Sequence, residues 1–276
     1  MNFKITPTYS FYIAIAVILC ACGSSTTDDD ILAGDDSTAV VQREKNNQIQ
    51  KIFSSVPAQS ETMETLEAAG AKYNSSYLNP IENVSKYTSL KSRALNLGVY
   101  GMDMGVTNIF EQTQESVLYL RCTNKMSTNI GISGAFDENM SSRLDANADN
   151  KDSLLAIITD SYKKADDYLQ ENGQAGVSSL MVVGAWVEGM YVAIQIANVT
   201  NNETIINKIG KEGATLNDLI NLLESYKADT EGTEEIITSL NEVKKIYEGI
   251  APEKITPEQF KQVSEKITEI RTKIIQ

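Results

Sequence analysis

From residue 42 onward, apolar positions recur three and four apart and no run of alternating β-branched residues interrupts them. That periodicity predicts helices rather than strands. The most apolar stretch is 177–198, VSSLMVVGAWVEGMYVAIQIAN, which holds the single tryptophan, Trp186, and one charge, Glu188. A helix that is apolar all round needs other helices or lipid around it. Its length approaches the roughly 20 residues of a membrane span. Against a span, Glu188 near the middle is costly in lipid, and no Lys or Arg flanks the stretch closely. The stretch therefore reads as the central helix of a packed α-domain.

The same pattern places helices around it. A short one over 46–53 is closed by Pro57, and Ser60 caps a second over ETMETLEAAGAKY. Leu78-Asn79-Pro80 breaks the chain before a long apolar helix over 87–110, followed by 114–126, a less regular segment over 136–146, and 152–172 ending at Gly173. Near the end, Ile236, Leu240, Val243, Tyr247 and Ile250 form one seam, and Phe260, Val263, Ile267, Ile270 and Ile274 another. Pro252 marks the turn between them, with Thr256 as N-cap and Pro257 in the first helical position. So short a connection predicts antiparallel neighbours. The expected fold class is all-α, an antiparallel multi-helix bundle; an α-solenoid of helical hairpins is the alternative, although no 34-residue self-similarity supports it. Ala94, Gly98, Gly101 and Gly105 step by 4, 3 and 4, a stripe poor in side chains that lets another helix approach closely.

The N-terminus indicates an address. Lys4 precedes a short apolar run, 11–19 (FYIAIAVIL), of the kind found in secretory signals. Leu19-Cys20-Ala21-Cys22-Gly23 follows directly. This resembles the bacterial lipobox, in which a small residue precedes a cysteine that is diacylated and becomes the mature N-terminus. Cys22, behind Ala21, fits; Cys20, behind Leu19, does not. The expected organisation is a lipoprotein signal peptide over 1–21, a lipidated Cys22 with a disordered acidic tether over 22–41, and one all-helical domain over 42–276. Asp28-Asp29-Asp30 resembles the surface-export signal of Bacteroidota lipoproteins but starts six residues past Cys22. Outer-membrane attachment is thus expected, with the periplasmic and the surface-exposed side both open.

Composition then narrows the chemistry. A net charge of −13 without a Lys/Arg cluster argues against nucleic-acid partners. The chain contains no histidine, which removes the usual general base and the Ser/His and Cys/His pairs. Cys122, in the helical pattern ESVLYLRCTNKM, reads as a buried structural thiol. Asp145, Asn147 and Asp149 imitate a calcium loop, but Asn150 stands where the loop needs glycine and Ala156 where it needs glutamate. That run reads as a helix cap, and neither a metal nor a cofactor is expected. The expected partners are the membrane, through the lipid, and a soluble or cationic envelope partner suited to an acidic surface.

Several segments carry a resemblance: Ala71-Lys72-Tyr73, Leu78-Asn79-Pro80, Asn83-Val84-Ser85-Lys86-Tyr87, the run LNLGVYGMD over 95–103, and GAWVEG over 184–189. Together they resemble a family of uncharacterised helical Bacteroidota lipoproteins. The resemblance covers roughly 60–197 and implies the address and the all-helical fold, with no activity to carry over.

Two carboxylates sit inside the most apolar helices. Asp103 shares a helical face with Asn96, Tyr100 and Thr107, opposite the glycine stripe, and Glu188 shares one with Tyr191 and Gln195. These residues form the candidate polar site. The structural interpretation makes Asp103 part of a solvent-facing stripe and Glu188 a core carboxylate satisfied by Tyr or Lys. The functional one requires both to converge, within about 10 Å, around an accessible pocket. On this basis the expected role is binding or structural support in the cell envelope, and the alternative is a carboxylate-dependent hydrolase acting on a glycan or other envelope substrate.

Overall fold

The apolar stretch forms one uninterrupted helix, Ala175–Thr200, in the computed structural model, which describes residues 70–132, 138–147, 150–228, 230–251 and 254–276 together with residue 65. Two single 3₁₀ turns, Ser75–Tyr77 and Ile81–Ser85, come first. The helices then follow as α1 (Leu90–Ile109), α2 (Thr113–Asn129), α3 (Glu138–Ala146), α4 (Lys151–Glu171), α5 (Ala175–Thr200), α6 (Glu203–Gly210), α7 (Gly213–Ser225), α8 (Thr233–Tyr247) and α9 (Pro257–Ile275). Among the described residues the only β-type pairing is an isolated bridge between Ala251 and Lys254. The fold is an all-α helical bundle. Cys22, the expected signal and tether segments, the expected 46–53 helix and most of the helix expected behind Ser60 lie outside the described residues.

Helix α5 is the hub. It packs against α1, α4, α6, α7 and α9, and residues 175–190 are buried without a break. It is long and apolar enough to cross a membrane, yet 89% of its most apolar window is enclosed by protein. The core-helix interpretation is the physical one: its apolar surface is satisfied by neighbouring helices. The solenoid alternative is excluded by the same contacts, because α1 and α5 both touch α9, far along the chain, whereas solenoid repeats touch only their neighbours.

Local chemistry sets the helix ends. The Ser89 side chain accepts the Ser92 N–H, which starts α1 at Leu90 and leaves Tyr87 outside the helix expected to contain it. Helix α4 ends before Gly173, whose φ of +69° suits a residue without Cβ. At the start of α9, Thr256 and Gln259 form a reciprocal capping box with Pro257 in the first turn. Asn150 caps α4 by accepting the Ser153 N–H, the helix-cap role expected for the end of the acidic run; Ala148 and Asp149 lie outside the described residues. Helices α6 and α7 lie between the stretches whose periodicity was strong enough to delimit. Helix α6 has only eight residues, starting at the N-cap Asn202, and short helices carry little periodic signal.

The glycine stripe is divided between different neighbours. A Cβ on Gly98 would stand 1.9 Å from the Met181 carbonyl oxygen, and one on Gly184 would stand 1.9 Å from that of Leu95. The α1 and α5 backbones are therefore in direct contact. Gly101 instead faces the Tyr162 ring of α4, and Gly105 faces open space.

Candidate functional site

The Leu78-Asn79-Pro80 break does more than interrupt a helix, since it inserts a polar turn into the core. Asn79 is 0% exposed, and its backbone N–H donates to Asp103 Oδ2 at 3.0 Å. Its side-chain amide donates to Asn96 Oδ1 at 3.2 Å and to the Tyr87 hydroxyl at 3.0 Å. Its own carbonyl accepts from the Tyr119 hydroxyl at 3.2 Å, and the Pro80 carbonyl accepts from Tyr100 at 3.1 Å. A buried turn carries backbone groups that need partners, and tyrosines from α1 and α2 supply them.

The second component comes from the chain's other end. Arg271 of α9 grips Glu188 with both arms of its guanidinium: Nε donates to Oε2 at 3.0 Å and Nη2 to Oε1 at 2.9 Å. The same Nη2 donates to the Tyr77 carbonyl at 3.2 Å, and the guanidinium lies 4.3 Å from the centre of the Tyr191 ring. This planar two-point grip is the geometry that favours arginine over lysine for a buried carboxylate. The last carbonyls of α9 are also held, Ile274 by Asn96 Nδ2 at 2.8 Å and Ile275 by the Tyr87 hydroxyl at 3.2 Å. Helix C-termini leave such carbonyls without intrahelical partners.

The sequence-derived candidates are thus only partly brought together. Asp103, Asn96, Tyr100 and Glu188 are all 0% exposed, and the charge of Glu188 acts on the Asp103 carboxyl. Tyr191 is half-buried beneath Arg271. Gln195, half-buried and two turns beyond Glu188, takes no part in the network among the described residues. Two expectations are corrected. Asp103 does not face solvent, because α5 and the Asn79 turn cover that side of α1. Glu188 is satisfied by arginine rather than by Tyr or Lys.

Reading residues one helix at a time missed Asn79, Tyr87, Tyr119 and Arg271. A signal for Arg271 was present: it stands four residues after Ile267 and three before Ile274, on the apolar seam of its own helix. A charge in that register needs a buried partner. Nothing local distinguished Asn79 from an ordinary turn residue.

Electrostatics follow from enclosure. Burial, followed by the neighbouring Glu188 charge, pushes Asp103 well above the usual carboxylate range. Burial also raises Glu188, while the Arg271 grip pulls it back. Burial raises the phenols of Tyr87, Tyr100 and Tyr119, and lifts the Cys122 thiol to about 12. That holds Cys122 as an unreactive thiol. Two surface grooves, one of about 70 Å³ between α1, α8 and α9 and one of about 360 Å³ between residues 70–77 and the end of α5, are lined by other side chains. The carboxyls converge, then, inside a closed interior. No family model, curated protein or solved structure matches the chain.

Proposed function

We propose that this chain is a lipid-anchored protein of the cell envelope, attached to the outer membrane through a diacylated Cys22, with a binding or structural role for its helical domain. The observation that carries the address is Ala21-Cys22 directly behind the apolar run over 11–19. The segments that resemble Bacteroidota lipoproteins support the same reading. For the role, the decisive consideration is that Asp103 and Glu188 are both 0% exposed. A hydrolase needs its carboxylates to reach a substrate and a water, so their enclosure weighs toward a network that holds helices in place. Any partner would meet an acidic surface, since the net charge is −13, and a soluble or cationic envelope component suits that surface better than anionic phosphates.

The test is Cys22→Ala, followed by metabolic labelling with palmitate and membrane fractionation. The parent is expected to incorporate label and sediment with membranes, whereas the variant loses label and either appears in the soluble fraction or accumulates unprocessed. A variant processed and retained in membranes like its parent would overturn the lipoprotein reading. Protease treatment of intact cells then separates the two faces: digestion indicates the surface, and protection indicates the periplasmic leaflet.

A further inference from the structure

One oxygen of the buried Asp103 carboxyl stands apart from the rest of the polar network. Its Oδ2 accepts the Asn79 N–H, but Oδ1 is buried and, among the described residues, receives no hydrogen bond from any N–H or hydroxyl. The nearby hydroxyls are committed elsewhere: Tyr100 to Pro80, Tyr119 to Asn79, and Tyr162 to the Leu97 carbonyl at 2.7 Å. Arg271 directs its fork at both oxygens of Glu188. The neighbouring charge that acts most strongly on the Asp103 carboxyl is that of Glu188.

Two ionised carboxylates and one guanidinium would leave a net negative charge in this enclosed place and an orphaned oxygen beside another anion. Both are costly in the interior. One proton removes both problems, because a protonated Oδ1 becomes a donor to Glu188. The centre then reads as neutral Asp103, negative Glu188 and positive Arg271, with a net charge of zero. We propose that Asp103 Oδ1 keeps a proton at physiological pH and donates it to Glu188, so that the fold responds to pH through this one buried proton.

Other ionisable groups around the centre do not perform the same task. On α2, Tyr119 and Cys122 are raised by burial and stay protonated through the neutral range. Tyr162 of α4 behaves likewise. Tyr73, in the leading segment, is also raised and donates to Glu115 of α2, which engages that carboxylate outside the network. Tyr77 meets Arg271 only through its carbonyl, and Tyr191 presents its ring.

The sign of the response follows from linkage. An unfolded aspartate releases its proton near pH 3.9, whereas folded Asp103 retains it above that pH. The contribution of the centre to stability is therefore complete below about pH 3.9 and is lost as pH rises through the folded value. The test compares urea unfolding of the full chain and of Asp103→Asn from about pH 4 to about pH 9. The amide of D103N can accept the Asn79 N–H and donate to Glu188, so the variant reproduces the bonding without the titration. The folding constant of the parent, divided by that of D103N, is expected to fall by up to about tenfold per pH unit and then level off. A ratio that stays flat or rises overturns the proposal.

A second measurement does not depend on the variant folding. Infrared spectra of the parent at neutral pH should contain a protonated-carboxyl C=O stretch that shifts when aspartate alone is labelled with carbon-13. Absence of that band, or a band that does not move with the label, would show that Asp103 is ionised.

Discussion

Helices α1 and α5 meet in two contrasting ways along one contact. Around Gly98 and Gly184 the backbones touch, with no room for a Cβ on either side. Around Asp103 and Glu188 the contact is polar, and it needs the Asn79 turn and Arg271 of α9 to be complete. The first region is a matter of size and involves two helices. The second is a matter of charge and joins residues from position 77 to position 275. The contrast shows that close packing positions this helix pair, while the polar half decides which other segments close over it. A buried ion pair is weak evidence for stability in itself, because desolvation offsets much of the attraction. Its effect on specificity is clearer, since only a chain end carrying an arginine in this register neutralises Glu188.

The largest expected effect breaks the polar half. Arg271→Ala would leave Glu188 buried without its cation, a change that costs about 3–5 kcal/mol. Adding Glu188→Gln removes the stranded charge and should recover much of that loss in urea denaturation. If the single variant stayed within about 0.5 kcal/mol of the parent, the pair would have no role in holding α9. Next comes the steric half: Gly98→Ala drives a methyl group into the Met181 carbonyl, an overpacking that costs about 1–3 kcal/mol. An unchanged melting temperature would mean that the two backbones separate easily.

A smaller effect sharpens the comparison at the far end of α9. Thr256→Ala deletes the capping box, and the expected cost is about 1 kcal/mol, well below that of Arg271→Ala. Equal losses in the two variants would show that α9 depends as much on its cap as on its buried end. The smallest effect has the opposite sign. Gly105→Ala adds a methyl group in open space, so lower chain entropy in the unfolded state and better helix propensity should stabilise the protein by up to about 1 kcal/mol. Destabilisation there would indicate an additional close neighbour on that face.

Much of the architecture was legible before any coordinates. The hub was visible because α5 is apolar on every side, and the α8 and α9 seams because their spacing is regular and Thr256-Pro257 carries its own capping chemistry. These are properties of single segments, set by side-chain periodicity and backbone preference. Helix α6 shows the limit, since eight residues offer too few turns for periodicity to stand out.

The candidate site was legible only in part, and for a different reason. Asp103 and Glu188 drew attention as charges in apolar helices, but whether a helix face meets solvent or another element depends on where distant segments pack. On its own helix Asp103 is one member of a polar stripe; three-dimensional packing places α5 and the Asn79 turn over that stripe. Arg271 lies 83 residues from Glu188 along the chain, beyond any local pattern. The sequence alone therefore determined the all-helical class, the hub and the paired seams of α8 and α9, because each is written in neighbouring residues. Only the tertiary structure decided that both carboxylates are buried and that an arginine neutralises one of them, because burial and charge pairing belong to assembled helices.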